Sequence, residues 1–314
     1  MLKAAELNNG DAQITLAYMC ENGVGVDKDV EEAAKWYNRA VNSGNTDAMI
    51  NLGNCYSSGR GVEQDYVAAN SFYLKAATAG NAMGMYAIAE SYYWGRGLEI
   101  NQSVAIEWYK KSAALGYILA EWALANISWS NQMYSDAVIG FEKVVESHEE
   151  SLEKDAKYML AKCYYLGRGV TQDYYTAVRL FTEIASEDAE AAYYLGECYR
   201  LGKGVQQDNS KAFQYHLYCA QNNNDEVGNI SQLYIADCYI KGLGVEKNMQ
   251  EAMKWMKNNA EIGNVAAQYN LAIAYSKGDG VDANKELAIY WCNEAAKQGC
   301  EQARAKLMEW SRYF

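Results

Sequence analysis

Three groups of residues have types and spacings that chemistry uses. The first is Gly95-Arg96-Gly97, preceded by the rings of Tyr92, Tyr93 and Trp94. A G-x-G can cradle a phosphate, and the same triplet begins again at Gly23, Gly59, Gly167, Gly202, Gly242 and Gly278. None is followed by the G-K-[S/T] of a P-loop, so these triplets read as turns. The second group is His216 with Cys219, three residues apart and so on one face of a helix. The pair invites a thiol–imidazole or half-metal reading. Zinc wants four ligands, none of which follows at usable spacing, and the two positions fall on a packing face, so core filling is expected and no metal or cofactor.

The third group is the eight cysteines. Cys55, Cys163, Cys198 and Cys238 each stand four residues before a G-x-G, in one recurrent slot that wants a small apolar side chain. Stacked helices lie about 8–10 Å apart, beyond the roughly 7 Å that a disulfide allows between Cα atoms. Free buried thiols point to a reducing, cytoplasmic compartment. With only two histidines, His148 and His216, no Ser–His–Asp or Cys–His–Asn order can be assembled, and no catalytic residue is expected.

Composition narrows the class. Net charge is −12, with 40 acidic against 28 basic residues and no basic stripe, a poor match for nucleic acid or an anionic membrane. No run approaches the eighteen or so apolar residues of a membrane span. Half the chain is apolar, which sustains a core, and tyrosine is abundant at 27.

The elements that position these residues follow from a period. The G-x-G triplets are spaced by 36, 36, 72, 35, 40 and 36 residues, where 72 is two periods with one loop lost. Such a period is the signature of stacked helical hairpins. Upstream of each triplet, small and apolar residues keep helical spacing, as in Leu52, Gly53 and Tyr56. The first glycine ends that helix. Beyond the second glycine stands Asp29, Asp65, Asn101, Asp173, Asp208, Asn248 or Asn284, the side chains that cap a helix start. A second helix follows, as in "VAIEWYKKSAA".

This pattern resembles the Sel-one-like repeat (SLR) of the tetratricopeptide superfamily. "AMINLGNCYSSGRGVEQDYVAANSFYLKAATAG", Ala48 to Gly80, and "AAQYNLAIAYSKGDGVDANKELAIYWCNEAAKQG", Ala266 to Gly299, carry the resemblance most fully. It implies an all-α, right-handed superhelical solenoid over residues 1–314. Its repeats would be 11–45, 46–81, 82–117, 118–150, 151–188, 189–229, 230–264 and 265–300, with a closing helix at 301–314. The fourth unit, "ISWSNQMYSDAVIGFEKVVE" within it, has a short turn and looks like an ordinary tetratricopeptide hairpin. Residues 1–10 parallel the end of a second helix, which reads as the remnant of a preceding repeat and a start cut from something longer. Cys292 and Cys300, eight apart, are similar to the pairs of the disulfide-stapled branch of this class but stand at offset repeat positions.

Slot-by-slot comparison separates structural rings from spare ones. Tyr92 shares its slot with Tyr56, Tyr164, Tyr199, Tyr239 and Tyr275 and is core. Residue 86 shares an apolar slot with Trp122, Tyr158 and Tyr193 and reads as packing between neighbours. The slots of Tyr93 and Trp94 hold Glu21, Asn22, Ser57 and Ser58 in other units, so packing does not demand aromatics there. The resemblance puts this face of the first helices on a concave groove. Tyr93, Trp94, Trp129, Tyr165 and Leu166 are therefore candidate contact residues, with Glu90, Asn126, Lys162, Glu197 and Arg200 in neighbouring groove slots. The alternative is that Trp94 and Trp129 repack around the shortened fourth hairpin. The function expected is a non-enzymatic scaffold or adaptor for a protein or peptide partner, with a basic partner fitting the net acidity. Two other readings stand beside it. One is a hydrolase-like or small-molecule binder, which the resemblance to cysteine-rich members brings in, and the other is a rigid spacer.

Overall fold

The computed structural model describes residues 5–6 and 9–311. Among them are seventeen α-helices and no strand. They are α1 (Gly10–Asn22), α2 (Val30–Asn42), α3 (Thr46–Ser58), α4 (Tyr66–Thr78), α5 (Ala82–Trp94), α6 (Gln102–Ala114), α7 (Ile118–Ser130), α8 (Tyr134–Glu146) and α9 (Glu150–Leu166). Then follow α10 (Tyr174–Ile184), α11 (Ala189–Leu201), α12 (Asn209–Asn222), α13 (Glu226–Lys241), α14 (Met249–Glu261), α15 (Val265–Lys277), α16 (Lys285–Lys297) and α17 (Glu301–Trp310). Odd-numbered helices are the first, and even-numbered the second, of eight hairpins that α17 closes. Ala5 and Glu6 are also helical, and Ala5 is buried against the first hairpin; the rest of the expected N-terminal remnant and the last three residues lie outside the described residues. The chain packs as two compact units, Met1–Ala156 and Lys157–Phe314.

Each unit is a stack of hairpins built by the same local rules. All seven Asp or Asn residues beyond the loops accept hydrogen bonds from backbone amides at the start of α2, α4, α6, α10, α12, α14 and α16. Each such cap stabilises its helix by about 1 kcal/mol. The first glycine of the triplet, such as Gly95 at φ 71°, is the left-handed residue that ends the first helix. The second glycine does something else. A Cβ on Gly61 would lie 2.0 Å from the Val30 carbonyl oxygen, and one on Gly204 would lie 2.4 Å from the Tyr174 carbonyl. The loops of Gly61, Gly97, Gly204, Gly244 and Gly280 are thus seated on the start of the preceding hairpin's second helix.

Within a hairpin, a small residue on the first helix makes room for a ring on the second. A Cβ on Gly53 would fall 2.5 Å from the Tyr73 ring, and one on Gly196 would fall 2.8 Å from His216. Tyr37, Tyr109, Phe181 and His216 fill this ring position and are almost wholly buried. Cys55, Cys163, Cys198 and Cys238 occupy the small buried slot expected of them, and none of the eight cysteines is in a disulfide. Cys292 donates to the Ala303 carbonyl at 3.3 Å.

The fourth hairpin, α7 with α8, departs from these rules. Neither helix has a side-chain N-cap, and the turn is closed by Gln132 in the left-handed region at φ 62°. A non-glycine residue costs about 1–2 kcal/mol there. No loop from this hairpin therefore reaches back over α5 and α6.

Candidate binding cleft

The missing loop leaves a cleft of about 330 Å³ between α5, α6 and α7. Four of the sequence candidates meet in it: Glu90, Tyr93 and Trp94 from α5, and Asn126 from α7. Glu90 organises them. Its Oε2 accepts from the indole Nε1 of Trp94 at 3.1 Å, and its Oε1 accepts a very short hydrogen bond from the Tyr109 hydroxyl on α6. Burial, and then this bond to a carboxylate, push the Tyr109 hydroxyl far above its ordinary pKa. The Tyr93 ring meets Trp94 edge-on at 4.9 Å and Tyr109 at 6.4 Å. Trp94 nevertheless stays 57% exposed.

Two further rings belong to the cleft that slot comparison assigned to packing. Tyr86 does pack, against Tyr109 at 5.7 Å and Tyr117 at 5.3 Å, and Trp122 packs against Phe141 at 5.6 Å. Both are only partly buried, and their remaining faces line the cleft. Burial, followed by the charge of Glu90, pushes the Tyr86 hydroxyl up to about 12. The signal that could have marked these residues was their size, since the same slot holds Ile14, Ile50 and Leu233 elsewhere. Tyr92 lies half-buried where two core clusters join, as a structural residue should.

Trp129 is not in the cleft. It packs edge-on at 5.1 Å against Tyr134, the first residue of α8, and so covers the short turn. The two candidate tryptophans thus have different surroundings: Trp129 lies against its own hairpin, and Trp94 faces solvent.

The remaining candidates lie in the second unit and are mostly engaged there. Tyr165 is flanked by Tyr174 at 5.3 Å and Tyr194 at 5.1 Å, with the Lys203 ammonium 5.3 Å from its ring centre. Lys162 donates to the Tyr158 hydroxyl at 3.2 Å and lies over the Tyr158 and Tyr194 rings. Leu166, at the end of α9, is exposed. Glu197 and Arg200 form a bidentate pair with both bonds at 2.7 Å. His216 stands behind them, fully buried, its Nε2 3.3 Å from Glu197 Oε1 without hydrogen-bond geometry and its Nδ1 3.1 Å from Ser231 Oγ. Burial alone would raise the Glu197 carboxyl; Arg200, with His216 beside it, outweighs this and holds it at about 2. Cys219 is buried, and burial leads the causes that raise its thiol pKa. Among the described residues, no three His, Cys, Asp or Glu side chains are grouped as a metal site, and no helix is long and apolar enough to cross a membrane.

Comparison with known proteins agrees with this architecture. Residues 10–45, 46–81, 82–117, 154–188, 189–224, 229–264 and 265–300 match the model of the Sel1 repeat, which passes over the short-turn fourth hairpin. Among solved structures, the chain is similar to c5321, a protective antigen present in uropathogenic Escherichia coli strains that displays an SLR fold. There the TM-score is 0.85 at 28% identity, over 97% of this chain and 65% of that one. The chain thus spans slightly under two thirds of that protein. A Sel1 repeat protein from Oxalobacter formigenes has the same fold, with TM-score 0.65 at 23% identity over 97% of this chain and 87% of the other. No curated protein matches the chain.

Proposed function

The chain belongs to the Sel1 repeat family, and from that premise we propose that it is a non-enzymatic interaction scaffold holding a protein or peptide segment in the cleft of α5, α6 and α7. Repeat folds of this kind typically serve as protein–protein interaction scaffolds. The observation that carries the reading is Trp94. Its ring is large, exposed and held in one orientation by the hydrogen bond to Glu90, yet it fills no core position. Pre-oriented tryptophan and tyrosine rings are the residues that dominate binding surfaces, because little side-chain entropy is lost when they are covered. A cleft of about 330 Å³ suits one or two side chains of an extended segment.

The test is selection of a displayed random-peptide library on the wild-type protein, followed by affinity measurement on Trp94→Ala. The expected outcome is at least tenfold weaker binding by the variant at an unchanged thermal midpoint. Selected peptides that bind both proteins equally would move the binding surface elsewhere.

A further inference from the structure

In three places a cation carried by a G-x-G loop reaches the rings or acceptor of the hairpin before it. In the first hairpin, Glu21 accepts the Tyr37 hydroxyl at 2.9 Å and pairs with Arg60 at 3.0 Å, a cation carried by the loop of the next hairpin. In the second, Tyr73 donates to Asn54 at 2.8 Å, and Arg96 from the following loop lines the same cleft. In the fifth, Lys203 from the following loop lies over Tyr165 and Tyr174. The three loops of Gly61, Gly97 and Gly204 are seated on the preceding hairpin, which brings their basic middle residues, Arg60, Arg96 and Lys203, to that hairpin's rings or acceptor.

The third hairpin has the acceptor and the rings but receives no cation from the hairpin that follows. Glu90 occupies the repeat slot of Glu197, and Tyr109 the slot of His216. Where Glu197 has Arg200 three residues on, Glu90 has Tyr93, and the fourth hairpin has no loop to send a basic residue back. None of the residues lining the cleft is basic, and among the described residues no Lys or Arg pairs with Glu90. Arg96 lines an adjoining cleft that shares Tyr86 and Glu90 with this one, and it forms no ion pair with Glu90. A carboxylate offers roughly four acceptor positions, and Tyr109 and Trp94 use two of them.

We propose that this cleft receives the guanidinium of an arginine side chain from the bound segment, which completes from outside the ring–carboxylate–cation arrangement that other hairpins complete internally. This deepens the scaffold reading above and rests on it. A planar guanidinium can stack on Tyr93 or Trp94 while hydrogen-bonding the free positions of Glu90, which matches both halves of the lining. The Glu197–Arg200 pair shows the same carboxylate slot occupied by a guanidinium.

The experiment titrates N-acetyl-arginine amide, and its neutral isostere N-acetyl-citrulline amide, into the ¹⁵N-labelled protein. The readout is the indole resonance of Trp94, identified by its loss in Trp94→Phe. The arginine derivative is expected to shift that resonance saturably, with at least tenfold weaker response to citrulline and in Glu90→Gln. Glutamine keeps an acceptor for Tyr109, and a thermal melt checks that the variant folds; if it does not, the arginine–citrulline comparison on the wild type decides alone. Equal responses to the two derivatives, or none to arginine, would overturn the proposal. Library-selected peptides that need Trp94 but tolerate loss of every arginine would overturn it too, while leaving the scaffold reading intact.

Discussion

The third and sixth hairpins carry a carboxylate in the same repeat slot and treat it in opposite ways. Glu197 is 17% exposed, clamped by Arg200 and backed by His216. Glu90 is held by the Tyr109 hydroxyl and the Trp94 indole, with the Tyr86 hydroxyl beside it, and its cleft opens to solvent. The backbone frame is common to both, so the repeat decides where a carboxylate stands. Its immediate neighbours decide whether it belongs to the fold or is left for a ligand. A three-residue step to arginine closes one site, and tyrosine at that step, together with a lost loop in the next hairpin, opens the other.

The largest effect that would break this contrast is on stability. Glu197→Gln removes the charge that the partly exposed Arg200 pairs with and is expected to cost about 2 kcal/mol. Glu90→Gln keeps one oxygen for Tyr109 and puts an amide NH2 opposite the Trp94 indole, which is exposed enough to turn to water, and should cost about 1 kcal/mol. Chemical denaturation of the two variants measures both. The same pair predicts a pH dependence. The folded-state pKa of Glu197 is depressed to about 2, below the ordinary carboxylate value near 4.5. Its stabilisation is therefore complete above that value and lost as pH falls through it towards 2. The gap between wild type and Glu197→Gln should close over that window. A gap that persists at pH 2 would mean that the loss comes from packing and not from charge.

A comparable effect separates the tryptophans. Trp129→Ala uncovers the short turn and Tyr134, and should lower stability by about 2 kcal/mol. For a unit of this size that is roughly 4–8 °C in thermal midpoint. Trp94→Ala removes a ring that is already mostly wet, and should move the midpoint by no more than about 2 °C. Equal losses would place both rings in the repacking of the fourth hairpin.

The fold was legible because its rules are local. A helix-ending glycine, a capping Asp or Asn and a small residue opposite a ring are each readable at one position, and seven repetitions make the reading secure. The loop's second glycine was legible as a turn but not as the seat of one hairpin on another, since that contact is to a backbone about thirty residues earlier. The cleft was only half legible. Slot comparison found Glu90, Tyr93, Trp94 and Asn126 because polar residues replace the two rings in other repeats. It set Tyr86 and Trp122 aside because their slot is apolar throughout, and apolar type does not reveal how much of a large ring overhangs its neighbour. It joined Trp129 to Trp94 because helix angle alone cannot show that Tyr134, across a shortened turn, holds that ring.

The most direct measurement places arginine in the position of Tyr93, as the sixth hairpin has it. Tyr93→Arg supplies Glu90 with an internal cation while leaving Trp94 and the frame in place. If an unsatisfied carboxylate is what makes this cleft a binding site, peptides selected on the wild type should bind the variant at least tenfold more weakly, with the midpoint within a few degrees. Full retention of affinity in a folded Tyr93→Arg protein would contradict that claim.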